Sequence, residues 1–206
     1  YNTQGVARNV SIEAGFTGTL MGKYNWDVYY NHAESRTRVK NPTNTDQAKY
    51  LASQDAVIAP TNTKVNGVDI GGSIACWVTT QPQFANLYPG CQPSNVFDPI
   101  NGPSREAFNY ISSPTWWTLT QQLDNLGGTI RGGAGFGLPA GEITAALSAE
   151  MRWATYVMTT NALPSDFVDC TGLRMCLANG GTAPVKWVQN VNAPVNADNN
   201  VYEFAL

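Results

Sequence analysis

The chain has 206 residues and a formal net charge of −3, and charged residues make up 13% of it, about half the usual share. So few charges exclude a coiled coil and a charge-driven disordered segment, and without a basic surplus nucleic-acid binding is disfavoured. The composition, with 20 Asn, 20 Thr and 19 Gly residues, favours strands, turns and polar loops.

The first two predicted strands are residues 10–20 and 26–38. Apolar side chains occupy every second position from Val10 to Phe16 in the first segment and from Trp26 to Tyr30 in the second. A period of two predicts strands with one apolar and one polar face. The short segment between them has the length of a hairpin turn, so we expect the two strands to be antiparallel neighbours.

A long segment without alternation follows, at residues 41–113. Residues 45–52, with Thr45 as the cap, and residues 103–111 have the pattern of short helices. Several glycines and prolines lie between them. A loop of this length is expected to carry function.

Three more strands are predicted, at residues 115–131, 142–160 and 200–206. The segment 142–160 alternates most clearly and would span roughly 55 Å, far longer than an ordinary soluble strand. A glycine-rich turn precedes it, so we expect 115–131 and 142–160 to be antiparallel neighbours as well. A second long loop, residues 161–199, follows it. Long strands joined alternately by short turns and long loops are typical of outer-membrane barrels.

The alternation also predicts which side chains share a face. On the apolar side we expect Val10, Ile12, Phe16, Val28, Leu147, Met151 and Trp153. On the polar side we expect Ser11, Glu13, Thr17, Asp27, Glu150 and Arg152. Without a covering layer, the apolar side would form an exposed patch larger than those of soluble monomers.

The four cysteines permit three pairings. Their spacing favours two local bridges, Cys76–Cys91 and Cys170–Cys176, on loops with little core of their own. Such bridges indicate an oxidising compartment. The alternative is four free, buried thiols in a cytosolic protein.

The sequence predicts no catalytic residue, metal site or cofactor. His32 is the only histidine, no two cysteines are spaced as CxxC, and the glycines match no nucleotide-binding motif. The loops instead contain aromatic side chains that either contact a ligand or pack the loops into a cap. These candidates are Trp77, Phe84, Tyr88, Phe97, Tyr110 and Trp187.

Two strings resemble strands of TonB-dependent outer-membrane receptors. They are WDVYYNHAESRTR at residues 26–38 and LPAGEITAALSAEMR at residues 138–152. In that family LPAG marks a periplasmic turn, and the following strand ends in an AEYR-type pattern, matched here by residues 149–152. The chain's start, its two cysteine-containing loops and its last residues fit the same type of receptor.

The resemblance implies an all-β fold made of long antiparallel strands of a transmembrane β-barrel. Residues 1–206 would supply about five strands, with 41–113 and 161–199 as long extracellular loops. Family members also have a plug domain, a TonB box and further strands, none of which is visible in this sequence. The chain begins at Tyr1 without a signal peptide and ends within a predicted strand, so we expect an internal piece of a receptor.

The expected function is TonB-energised uptake of a scarce nutrient such as a siderophore, vitamin or oligosaccharide, in the bacterial outer membrane. The implied partners are outer-membrane lipid, the plug and other strands of the receptor, and TonB through an N-terminal part, with no nucleic acid. One alternative is a secreted, disulfide-stapled carbohydrate-binding module, which would be soluble without detergent. A second is a hydrolase that uses His32.

Overall fold

The structure is a computed structural model that describes residues 3–95, 102–176 and 183–206. It contains nine strands, two α-helices and one 3₁₀ helix within those ranges. In chain order they are β1 (Gln4–Leu20), β2 (Tyr24–Thr45), α1 (Gln47–Gln54), β3 (Ala56–Ile58), β4 (Lys64–Val65), β5 (Val68–Asp69), β6 (Ile74–Cys76), the 3₁₀ helix (Trp77–Thr80), α2 (Arg105–Ile111), β7 (Ser112–Leu138), β8 (Gly141–Thr160) and β9 (Val195–Ala205).

The five long strands form one sheet in the order β1-β2-β7-β8-β9. Residues 21–23 join β1 to β2, and residues 139–140 join β7 to β8. Met21 and Gly22 have φ values of 53° and 67°, which suits a tight turn because glycine tolerates positive φ. The predicted all-β class is confirmed, and both predicted hairpin pairs are neighbours in the sheet.

The strands are longer than the alternation indicates. β1 begins at Gln4 rather than at residue 10, and β9 begins at Val195 rather than at residue 200. β2 continues to Thr45, so Thr45 is the last strand residue and the prediction that it caps the helix is wrong. Asp46 caps α1 instead, because its carboxylate accepts bonds from the backbone N–H groups of Ala48 and Lys49.

The chain divides into two compact units. The sheet unit comprises Gly5–Val39, Trp117–Thr159 and Pro194–Leu206. The loop unit comprises Tyr1–Gln4, Lys40–Trp116 and Thr160–Ala193. The chain between β2 and β7 is the first long connection, and the chain between β8 and β9 is the second. Both contribute to one compact unit instead of forming separate loops.

The loop unit has its own hydrophobic core, which corrects the expectation that the long loops have little core. Its buried members are Ala52, Cys76, Val78, Tyr88, Val168 and Leu173. They come from both long connections, and the two connections are therefore packed together. A buried polar contact adds to this packing, since Asn44 donates to Thr115 and accepts from the backbone N–H of Gln189.

Both predicted disulfides are present, and the alternative of four free thiols is excluded. The sulfur atoms of Cys76 and Cys91 are 2.07 Å apart, and those of Cys170 and Cys176 are 2.03 Å apart. All four cysteines belong to the loop-unit core or pack against it. The bridges therefore close two short segments around a shared hydrophobic cluster.

Two small antiparallel sheets complete the loop unit. β3 pairs with β6, with Ala56 opposite Cys76. β4 pairs with β5 across Asn66 and Gly67, whose φ values are both positive. Asn-Gly is the preferred sequence for such a two-residue hairpin turn.

Candidate functional site

The apolar face of the sheet unit is exposed to a degree unusual for large hydrophobic side chains. Phe16 is 73% exposed, and Val10, Ile12, Val28 and Leu147 are exposed as well. These five match the predicted apolar side. Met151 and Trp153, the other two predicted members, are half-buried, partly because Trp153 packs edge-on against Tyr202 at 6.4 Å between ring centroids.

Strand β9 extends this face beyond the predicted members, which end at Trp153 on β8. Phe204 lies opposite Ala149, and Tyr202 lies opposite Met151. Since directly paired residues point to the same side of a sheet, both aromatic rings join the apolar face. Phe204 is 70% exposed, so the face continues to the edge strand.

The opposite face carries the charged side chains of Glu150, Arg152 and Glu203. Arg152 forms ion pairs with Glu203 on the neighbouring strand and with Glu150 at 3.3 Å. The two glutamates lie directly opposite each other in the β8–β9 register, and Arg152 offsets their repulsion. The predicted polar-side residues Ser11, Glu13 and Thr17 are exposed, while Asp27, Glu150 and Arg152 are half-buried.

A row of hydrogen-bonded polar side chains, which we call the polar belt, interrupts the apolar face. Asp124 on β7 accepts a bond from Tyr30 and lies 2.8 Å from His32 Nδ1, both on β2. Gln122 donates to Glu34 at 3.0 Å and accepts from Thr155 on β8 at 3.4 Å. The belt therefore consists of Tyr30, His32, Glu34, Gln122, Asp124 and Thr155.

By the alternation along each strand, the belt lies on the apolar face. On β2 that face changes from Trp26 and Val28 to Tyr30, His32 and Glu34. The sequence identified His32 as the only histidine but gave no partner for it. Asp124 lies 92 residues away, so this contact depends on the β2–β7 register.

The loop unit contains a cleft of about 520 Å³. Two of the predicted ligand-binding aromatics, Tyr88 and Tyr110, line it together with Asp46, Lys49 and Lys186. The two lysines were not predicted, because nothing local in the sequence distinguishes them from other surface lysines. The cleft therefore combines residues of α1, of α2 and of the second long connection.

A backbone hydrogen bond positions Lys186, and a side-chain contact positions Lys49. The backbone N–H of Gln47, next to Asp46, donates to the carbonyl oxygen of Lys186 at 2.8 Å. This bond joins the start of α1 to the second long connection. The Lys186 ammonium lies 4.0 Å from Asp46 Oδ2, and the Lys49 ammonium lies 3.1 Å from Ser113 Oγ.

The two tyrosines of the cleft have different surroundings. Tyr88 is only 7% exposed, and its hydroxyl donates to the carbonyl oxygens of Asp169 and Thr171. Burial raises the pKa of Tyr88 to about 12. The Tyr110 hydroxyl is enclosed and has no hydrogen-bond partner among the described residues, and burial raises its pKa as well.

Trp187 lies beside the cleft. Its indole N–H donates to Asp166 at 2.8 Å, and its ring lies 5.1 Å from the Lys186 ammonium. Hydrogen bonds from the Leu163 backbone N–H and from Trp187 lower the pKa of Asp166. Trp187 thus supports Lys186 and is not itself a residue that lines the cleft.

Trp77 and Phe84 form a separate cluster in the loop unit, so the predicted aromatics do not converge on one site. Their ring centroids are 6.0 Å apart, and the Arg174 guanidinium lies 4.4 Å from the Trp77 ring. Arg174 also forms a two-point ion pair with Asp55. Phe97, the remaining predicted residue, lies outside the described residues.

The described ranges contain neither a cluster of metal ligands nor a membrane-spanning helix. No group of three or more His, Cys, Asp or Glu side chains there could hold a metal ion. No helix in the same ranges is long and apolar enough to cross a membrane.

The chain was also compared with known proteins. No family, curated protein or solved structure matches it.

Proposed function

We propose that this chain is part of an outer-membrane receptor, with the apolar face of the sheet unit in contact with lipid and the loop unit capturing a nutrient. The observation that carries the proposal is the exposed, alternating apolar face of the five-stranded sheet. The resemblance of residues 26–38 and 138–152 to TonB-dependent receptors supports the same function. No chemical change of the nutrient is part of this proposal.

The free energy of hydration favours a cover for this face. Exposed apolar surface costs about 25 cal/mol per Å² relative to burial, and soluble monomers rarely keep contiguous patches above a few hundred Å². Here exposed Val, Ile and Phe side chains alternate along β1, and exposed Leu147 and Phe204 continue the face onto β8 and β9. Hydrocarbon chains would cover that surface and leave the charged face of Glu150, Arg152 and Glu203 toward an aqueous interior.

The polar belt supports lipid as the cover. A lipid-facing strand surface is expected to be apolar within the hydrocarbon layer and to carry Tyr, His and charged groups at the headgroup level. The apolar face changes in this way at Tyr30 and His32 on β2. The hydrogen bonds of both side chains to Asp124 satisfy polar groups at that boundary.

The sheet also needs partners at its edges. β1 and β9 are the outer strands of the sheet, and an unpaired edge in lipid would leave backbone groups without hydrogen bonds. The proposal therefore assigns them to further strands of the same receptor. Its other partners are outer-membrane lipid, a plug domain and TonB, and its location is the bacterial outer membrane.

Nitroxide labels at two neighbouring positions test the lipid contact. Because the native cysteines are paired, Phe16→Cys and Thr17→Cys each introduce one reactive thiol, on the apolar and the polar side. In phosphatidylcholine vesicles we expect the label at position 16 to collide mainly with oxygen and the label at position 17 mainly with a water-soluble nickel chelate. Leu147→Cys and Ser148→Cys form a second matched pair.

Two results would refute the receptor function. One is a chain that stays monomeric in buffer without detergent, as a secreted carbohydrate-binding module would. The other is equal access of the nickel chelate to positions 16 and 17 in vesicles. Either result would mean that something other than lipid covers the apolar face.

A further inference from the structure

We propose that the cleft of the loop unit binds a small organic anion with an apolar body. This inference names a ligand class for the receptor proposed above, and it depends on that function only for the subsequent transport step. Binding itself requires only the loop unit. The cleft, at about 520 Å³, lies within the range of small-molecule sites.

The acidic and the basic groups of the cleft differ in whether a charged or hydrogen-bonding partner already matches them. Asp46 caps α1, and Asp169 accepts two bonds from Thr171, so both carboxylates have partners within their own segments. Lys49 has no carboxylate within ion-pair distance among the described residues; its ammonium contacts the neutral Ser113 hydroxyl. The cleft therefore offers a cation whose charge a ligand can match.

Lys186 adds a second positive charge. Its ammonium is at the limit of ion-pair distance from Asp46, at 4.0 Å, and its side chain is 38% exposed. The Trp187 ring beside it, 5.1 Å away, keeps the ammonium oriented without neutralising it. An anion bound between Lys49 and Lys186 would make charge-assisted hydrogen bonds, which are stronger than neutral ones.

The enclosed hydroxyl of Tyr110 points to the same ligand chemistry. Buried donors without a partner are rare in folded proteins, and this hydroxyl has none within the described residues. A tyrosine phenol is protonated at neutral pH, so this hydroxyl is a hydrogen-bond donor. Tyr110 lines the cleft but its hydroxyl is closed to solvent, so an acceptor oxygen in the cleft would supply the missing partner once the side chains around the hydroxyl shift on binding.

The apolar body of the ligand follows from the remaining lining residues. Leu87 and Phe167 line the cleft and are each 52% exposed, and Pro89 lies beside Leu87. These side chains offer apolar surface to a ligand.

Equilibrium dialysis tests the proposal with two probes of matched shape. The purified chain in dodecyl maltoside, with the same detergent on both sides of the membrane, is dialysed against 2-naphthoate or the neutral 2-naphthalenemethanol. We expect 2-naphthoate to bind at least about tenfold more tightly, as expected for a charge-assisted hydrogen bond. The detergent on both sides cancels partition of each probe into micelles.

Matched variants locate the binding. Lys49→Met and Tyr110→Phe should each weaken 2-naphthoate binding, Lys49→Met by about tenfold, with little effect on the neutral probe. The controls are Lys64→Met, in the β4–β5 hairpin, and Tyr50→Phe, on α1, which do not line the cleft. Unchanged binding of the neutral probe by Lys49→Met shows that the cleft is still folded.

Three outcomes would overturn the proposal: equal affinity for both probes, unchanged 2-naphthoate binding in Lys49→Met, or no binding up to about 10 mM. These outcomes are independent of the lipid test at Phe16. Retained 2-naphthoate binding together with water access at Phe16 would refute the receptor function alone. Lipid contact without 2-naphthoate binding would refute the ligand class alone.

Discussion

The Tyr88 hydroxyl donates a hydrogen bond to the carbonyl oxygen of Thr171 at 2.9 Å, across 83 residues of sequence. It also lies 3.3 Å from the carbonyl oxygen of Asp169. Both acceptors belong to the segment just before and within the Cys170–Cys176 bridge. The Tyr88 hydroxyl therefore links the second long connection to the first by hydrogen bonds.

Tyr88→Phe should destabilise the loop unit by about 1 kcal/mol, since it removes a buried donor and leaves two carbonyl groups with one partner fewer. The measurement is urea unfolding followed by tryptophan fluorescence. Tyr50→Phe is the control, because the Tyr50 hydroxyl forms no hydrogen bond with the residues that the structure describes. A change equal to that of the control would mean that the Tyr88 bonds contribute nothing net.

The same residue predicts a loss of stability at high pH. The pKa of Tyr88 is about 12 in the folded protein against an ordinary value of 10.0. Between these values the folded state holds a proton that the unfolded state has lost, so stability is complete below pH 10 and falls as pH rises toward 12. Unfolding midpoints measured from pH 9 to 11.5 should fall less steeply in Tyr88→Phe; parallel curves would contradict the assignment.

The two disulfides should contribute different amounts to the free energy of unfolding. On the chain-entropy model, the 15-residue separation of Cys76 and Cys91 contributes about 3 kcal/mol, and the six-residue separation of Cys170 and Cys176 about 2 kcal/mol. Double alanine variants of each pair, unfolded in urea without reductant, measure the two losses. A larger loss for the Cys170–Cys176 pair would show that packing, rather than loop closure, dominates.

Arg174 joins an ion pair and an aromatic contact, which makes a lysine there a poor substitute. Its guanidinium bonds to both oxygens of Asp55 and stacks near Trp77, and an ammonium group reproduces neither geometry. Arg174→Lys should cost about 1 kcal/mol, and its effect should be smaller in an Asp55→Asn background, where only the contact with Trp77 remains to be lost. Additive losses in this double-mutant cycle would rule out direct coupling.

Structural features that depend on neighbouring residues were predictable from the sequence, and contacts between distant segments were not. Alternation assigned Phe16 and Leu147 to one face because strand geometry fixes the side of each residue from its neighbours alone. The two bridges were predictable because each closes a short loop. Thr45 was mistaken for the helix cap because it stands beside Asp46, and both residue types can cap a helix.

The missed residues all depend on contacts between distant segments. His32 and Asp124 meet through the β2–β7 register, and Lys49 on α1 and Lys186 on the second long connection line one cleft. The predicted aromatics separated for the same reason: Tyr88 and Tyr110 line the cleft, whereas Trp77 and Phe84 pack with Arg174. Composition gives no information on such arrangements.

The last prediction compares a lysine on each side of β1. If the apolar face contacts lipid, Phe16→Lys should cost about 2–4 kcal/mol of folding free energy in phospholipid vesicles, because an ammonium group in hydrocarbon loses its hydration. Thr17→Lys, on the polar side, should change the same free energy by less than about 1 kcal/mol. Guanidinium titrations in vesicles, read by tryptophan fluorescence, measure both. In detergent-free buffer Phe16→Lys should instead increase solubility, since it removes an exposed aromatic ring. Equal costs for the two lysines in vesicles would indicate that the face of Phe16 does not contact lipid.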